Sequence, residues 1–186
     1  SPKGAFSNSK NSAVRHQAEP VYSTCPSGEK FPLPRDNEYA NEFTKMQKLV
    51  EKQRLKNREI VVVMGLGFVG AVMAGVVADS VEKSTGKPGK YVIGMQRPSI
   101  RSFWKIPLFN RGISPVKAED PEVAPMIERC VKQKKTLTAT FTYDALKLAD
   151  VLVVDVQCDF IKEELGNLRS GYADISALEA SFKIIG

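Results

Sequence analysis

The chain predicts an α/β fold, a parallel sheet with flanking helices, and three observations carry that expectation. EIVVVM at 59–64, KYVIGM at 90–95 and VLVVDV at 151–156 are continuous, largely β-branched runs of the kind that form strands buried on both faces. Segments with apolar residues at three- and four-residue steps alternate with them, as in helices. A glycine-rich turn, GLGFVG at 65–70, joins the first run to the segment after it. Alternating strands and helices imply a parallel sheet with right-handed crossovers.

Each element follows in order. Residues 1 to about 36 are rich in Ser, Asn, Pro and Lys, and CPSGEKFPLPRD holds three prolines and a glycine that break regular structure. This stretch is expected to be irregular and to form no core of its own. From Asn37 to about Arg58, Tyr39, Phe43, Met46, Leu49, Val50 and Gln53 recur at helical spacing, with Asp36 or Asn37 as N-cap. The chain thus divides into an N-terminal extension, residues 1–58, and a domain, residues 59–186. In the helix after the glycine turn, Ala71, Ala74, Gly75 and Ala78 keep the element slim, while Val72, Met73, Val76 and Val77 supply an apolar face. STGKPGK is a loop, and the stretch from Arg97 to Pro115 resists assignment because Pro107 interrupts it. DPEVAPMIERCVKQK reads as a helix with Val123, Met126, Ile127, Cys130 and Val131 on one face. TLTATF (136–141) suits a strand, YDALKLAD a short helix, and residues 174–184 a last helix. That makes four parallel strands, where a complete dinucleotide-binding domain has six, so a truncated domain is expected.

Composition narrows the function. Hydrophobic content of 42% supports a real core, and no apolar run approaches the length of a membrane span. The N-terminal SPKGAFSNSKNS lacks a signal-peptide core, which predicts an intracellular, cytoplasmic protein. Cys25, Cys130 and Cys158 are odd in number and lack metal-ligand spacing, so reduced thiols and no metal site are expected. The only histidine, His16, stands in the polar tail, which argues against a histidine-based dyad. Of the net charge of +6, residues 1–59 carry +4, with eleven Lys/Arg against seven Asp/Glu. Basic and aromatic residues do not interleave as in a stacking platform, so no nucleic-acid partner and no membrane partner is expected.

The chemical signal is the turn Gly65-Leu66-Gly67-Phe68-Val69-Gly70 between a buried strand and a helix. Gly65 permits the tight bend, Gly67 lets backbone approach a pyrophosphate, and Gly70 allows close helix–strand packing. Free N–H groups at the helix start, helped by the helix dipole, then face the phosphates. Such a Rossmann-like turn commonly ends its second strand in an acid that binds the adenosine ribose. Here that strand ends in Gln96 and Arg97. The substitution is compatible with NAD, through a Gln96 hydrogen bond or Arg97 stacking on adenine. NAD is the expected cofactor, and NADP is the alternative, since the same change can also admit its 2′-phosphate. In a third reading the loop serves contacts within the protein, with Phe103 and Trp104 packed on the N-terminal extension.

VVVMGLGFVGAVMA, NRGISPV and TLTATFTYDALKLADVLVVDV stand in the order and approximate spacing of the UDP-glucose/GDP-mannose dehydrogenase family. Over residues 59–160 the chain resembles the N-terminal NAD-binding domain of that family. The resemblance implies an oxidoreductase that converts the C6 alcohol of a UDP- or GDP-sugar to a carboxylate, with two hydride transfers to NAD. Carried over, it places Gly65, Gly67, Phe68, Val69 and Gly70 at the pyrophosphate, and Gln96 and Arg97 at the adenosine ribose. Val156 and Gln157 fall in the loop after the fourth strand, where VQC departs from the family's V-P-T-P-like sequence. No residue of the chain is expected to be catalytic, because the family's nucleophilic cysteine and catalytic lysine fall downstream of Gly186. The chain is therefore expected to be a fragment, inactive by itself, with the nucleotide sugar bound by an absent domain and a homodimer in the full-length protein. A non-catalytic module, with its basic extension and helix 37–58 binding a protein partner, is the alternative.

Overall fold

The computed structural model describes residues 19–161 and 171–186, so the tail that contains His16 lies outside the described residues. The chain opens with a hairpin, β1 (Tyr22–Thr24) and β2 (Lys30–Pro32), followed by α1 (Asp36–Arg54). Then come β3 (Glu59–Met64), α2 (Phe68–Asp79), β4 (Lys90–Met95), α3 (Lys105–Asn110) and α4 (Val123–Arg129). A π-helical turn, Cys130–Lys134, extends α4 and leads to β5 (Leu137–Thr140). After a 3₁₀ turn at Tyr143–Leu148 follow β6 (Val151–Val154), the hairpin strands β7 (Asp159–Ile161) and β8 (Tyr172–Asp174), and α5 (Ser176–Ile185).

The four central strands form one parallel sheet in the order β5-β4-β3-β6. Pairing β3 with both β4 and β6 sends the chain to opposite sides of its first strand. That reversal opens a crevice at the carboxyl ends of β3 and β6, the usual ligand position in an open α/β sheet.

Strand periodicity explains the two-sided core. Val61, Val63 and Val92 turn to one face, where Ala71, Ala74, Ala78, Phe109 and Ile127 cover them. Ile60, Val62, Met64, Tyr91, Ile93 and Met95 turn to the other, against Met46 and Val50 of α1. The predicted amphipathic helix thus supplies one wall of the core.

The structure corrects several expectations. The segment expected to be irregular contains the β1–β2 hairpin, whose Cys25 and Phe31 pack with Leu108, Phe103 and Trp104. Helix α1 is capped by Arg35 rather than Asp36 or Asn37, and the Glu38 carboxylate accepts a hydrogen bond from the Arg35 N–H at 2.7 Å. On α2 the buried face is Gly70, Ala71, Ala74, Gly75 and Ala78, while Met73 and Val76 are exposed. Small residues let α2 come so close that a side chain at Gly75 would meet the Met126 methyl at 2.7 Å. Pro107 lies in the first turn of α3, where a missing N–H breaks no intrahelical bond. β6 ends at Val154, two residues short of the predicted strand, although the Asp155 N–H still donates to the Met64 carbonyl of β3 at 2.9 Å.

Candidate functional site

At the carboxyl edge of the sheet the chain leaves β3 through Gly65, whose φ of +105° belongs to the region that glycine favours. Any Cβ there would collide with the Asp155 carbonyl oxygen. At Gly70 a Cβ would strike the Gly65 carbonyl and lie 2.7 Å from the Asp155 carboxylate. The fold itself therefore requires both glycines. Gly67 is different. Its backbone is extended, with φ −70° and ψ −168°, and a Cβ would meet nothing nearer than the Asp155 carboxylate at 3.8 Å. Nothing in the folded chain demands glycine there, and the missing side chain leaves open space over the start of α2. Gly67 is also the N-cap of α2, and no side chain caps the helix. The Phe68, Val69 and Gly70 N–H groups begin the helix, where donors lack intrahelical acceptors.

Leu66, between the first two glycines, is held from both sides. Its N–H donates to Gln96 Oε1 at 2.8 Å, and its carbonyl accepts from Lys105 Nζ at 3.2 Å. Its side chain is fully buried against Gly94 of β4, where any Cβ would strike it. Lys105 reaches in from α3, and burial pushes its pKa down. Gln96 is positioned by the sheet, because its own N–H donates to the Thr140 carbonyl at 3.0 Å.

These groups line a cleft of about 440 Å³. Its lining joins Gly65 and Gly67 of the turn, Gln96, Arg97 and Lys105, and Asp155, Val156 and Gln157 after β6. Ala177, Ala180, Ser181 and Ile184 of α5 complete it. Of the residues predicted for cofactor contact, Gly65, Gly67, Gln96, Arg97, Val156 and Gln157 meet at this cleft, while Phe68 and Val69 stand exposed at the helix start beside it. Cys158 is exposed and outside the lining.

Sequence reasoning missed Lys105, Asp155 and the α5 residues. Asp155 had a visible signal, a charge closing the apolar run VLVV. Lys105 and α5 had none, since only the chain path brings them to the turn. The loop after β4 is braced from within. Ser102 Oγ donates to the Arg97 carbonyl at 2.9 Å and lies 2.7 Å from Ser99 Oγ, so both serines brace the loop instead of offering donors to a ligand. Phe103 and Trp104 do pack toward the N-terminal hairpin, and the Trp104 N–H donates to Ser23 Oγ at 3.1 Å. Among the described residues no group of three or more His, Cys, Asp or Glu is arranged to hold a metal ion. None of the described helices is long and apolar enough to cross a membrane.

Sheet order, glycine turn and uncapped helix start together define a Rossmann-like nucleotide-binding domain. No protein-family profile and no curated protein matches the chain. Solved structures do. It is 27% identical to an NDP-N-acetyl-D-galactosaminuronic acid dehydrogenase from Methanosarcina mazei Go1, over 76% of this chain and 27% of that one, with a TM-score of 0.56. A GDP-mannose dehydrogenase from Pseudomonas aeruginosa, solved as a ternary complex, is also 27% identical, over 67% of this chain and 24% of that one, at a TM-score of 0.50. A UDP-glucose dehydrogenase from Pyrobaculum islandicum, 19% identical, shares the fold over 69% of this chain and 25% of that one, at 0.51. The chain is similar to the nucleotide-sugar dehydrogenases in fold as well as in motifs, and it spans about a quarter of the length of the structures it matches.

Proposed function

We propose that this chain is the dinucleotide-binding domain of a nucleotide-sugar 6-dehydrogenase, an oxidoreductase that takes the C6 alcohol of a UDP- or GDP-sugar to a carboxylate. The observation that carries the proposal is Gly67, a glycine that the fold does not need, placed where a side chain would fill the cleft in front of an uncapped helix. The residues present fit a nicotinamide dinucleotide. The Phe68, Val69 and Gly70 N–H groups would hold the pyrophosphate. Gln96 and Lys105 fix Leu66 and so keep the turn in shape before a ligand arrives. Gln96 and Arg97 would meet the adenosine ribose, and Val156 and Gln157 the loop side of the cofactor. The nicotinamide ring supplies hydride acceptance when the cofactor is bound. The resemblance implies NAD for this family, and the 96–101 loop decides between NAD and NADP. No residue of this chain is assigned a catalytic role. The nucleotide sugar, a homodimeric whole protein and a cytoplasmic location belong to the same proposal.

Asp155 favours a second reading, a non-catalytic module that keeps the turn for structure, because its carboxylate stands beside Gly67 and Gly70 where an anion would bind. In that reading the basic extension and the 37–58 helix bind a protein partner, which would meet the helix on the face left over from the packing of Met46 and Val50 on the sheet. Calorimetric titration separates the two readings. Saturable binding of NAD or NADP, weakened roughly tenfold or more in Gly67→Val with an unchanged melting temperature, supports the dehydrogenase domain. Binding of neither dinucleotide at millimolar concentration supports the module.

A further inference from the structure

We infer that the adenosine end of this cleft is built for a 2′-phosphate, so that the preferred dinucleotide is NADP. The inference rests on the dinucleotide reading of the cleft and adds the choice of ligand.

Hydrogen-bond accounting at Gln96 carries it. Leu66 N can only donate, so the side-chain atom of Gln96 that faces it at 2.8 Å is the carbonyl oxygen. That oxygen is spent inside the protein. The amide group of the same side chain points away from the turn, in a long contact of 3.3 Å with the Arg97 carbonyl, and retains donor capacity. A pair of ribose hydroxyls is held best by a carboxylate that accepts from both. Gln96 offers them donors instead.

The surrounding charges point the same way. Arg97 is exposed, lines the cleft, and its guanidinium forms no hydrogen bond or ion pair among the described residues. Arg101, four residues on and exposed, is likewise uncommitted among the described residues. The Arg97 backbone is fixed by the Ser102 hydroxyl, so the guanidinium projects from a braced loop. Among the described residues the one carboxylate in the cleft lining is Asp155, which stands beside the glycine turn and not on this loop. A loop that carries an amide donor and the cleft-lining Arg97, and no acid, matches a phosphate monoester, which brings acceptors and negative charge.

The test is a titration of the chain with NADP and NAD, repeated with 2′,5′-ADP and ADP to isolate the adenosine end. The expected result is roughly tenfold or tighter binding of the 2′-phosphorylated ligand in each pair, shrinking as salt is raised. Arg97→Ala should weaken NADP binding roughly tenfold more than NAD binding and so abolish the preference. Gln96→Glu, which keeps an acceptor for the Leu66 N–H and adds one for the ribose, should turn the preference toward NAD. Equal or tighter binding of NAD and ADP by the unaltered chain overturns the 2′-phosphate inference and leaves the dinucleotide site standing. Binding of none of the four ligands overturns the site and the inference together.

Discussion

Asp155 brings a negative charge to a place where the fold otherwise gathers N–H donors. Its carboxylate faces Gly67 and Gly70, and its own N–H donates to the Met64 carbonyl at 2.9 Å, which fixes the backbone beside the turn. A pyrophosphate bound at the start of α2 would lie close to this charge, at a Coulomb cost moderated by solvent. Asp155→Asn should therefore tighten dinucleotide binding by roughly tenfold in calorimetry, with the gain fading at high salt. An unchanged affinity would show that the phosphates sit beyond the reach of this carboxylate. The glycines of the turn were readable because strand, turn and helix are contiguous. Gln96 was readable as the residue that follows the KYVIGM strand, but its bond to Leu66 was not, since that contact exists only once β3 and β4 are paired. Asp155 arrives from a strand about ninety residues away, so its role at the turn followed only from the sheet order.

Helix α2 is held to α4 and the π-helical turn that extends it by a compact ionic cluster at its C-terminal end. Asp79 accepts two hydrogen bonds from Arg129, at 2.9 and 2.8 Å, and pairs with Lys134 at 2.7 Å. The Arg129 guanidinium holds the Asp79 carboxyl well below the ordinary carboxylate range, with burial opposing and Lys134 assisting. Burial, reinforced by the Asp79 charge, pushes the neighbouring Cys130 thiol up to about 11. Because the native carboxyl is the stronger acid, the cluster stabilises fully above the ordinary carboxyl value of 3.8 and loses that contribution as pH falls toward the depressed one. Asp79→Asn should lower the melting temperature at neutral pH by roughly 2–4 °C, and the difference from the unaltered chain should narrow below about pH 4. A difference constant with pH would remove the ionic explanation. Elements of this kind were unevenly readable. Helix α4 announced itself through Val123, Met126 and Ile127, all buried as its periodicity required. The β1–β2 hairpin did not, because strands of three residues carry too little alternation to stand out among prolines. The orientation of α2 misled because apolar residues occur all around it, and the small ones won the sheet by allowing the closest approach.

The whole molecule is a parallel sheet clothed on two sides, with α2 and α4 on one and α1 with the 3₁₀ turn on the other. The amphipathic spacing announced a helix from 37 to about 58, found at Asp36–Arg54, and the two-faced strands announced a sheet that needed a second cover. That the one covers the other was a matter of chain path. Met46 is fully buried between α1 and the sheet, so Met46→Ala should cost about 2–4 kcal/mol in denaturant unfolding. A loss near zero would mean that α1 rides on the sheet without stabilising it. The two margins of the sheet are finished differently. Along β5 the Asn110 side chain accepts from the Ala139 N–H at 2.7 Å and donates to the Ala139 carbonyl at 3.0 Å, imitating the backbone of a neighbouring strand. Along β6, among the described residues, the only strand neighbour is β3. Asn110 already occupies the backbone of Ala139 at the β5 margin, so an additional strand, from this molecule or another, would find its open template past β6.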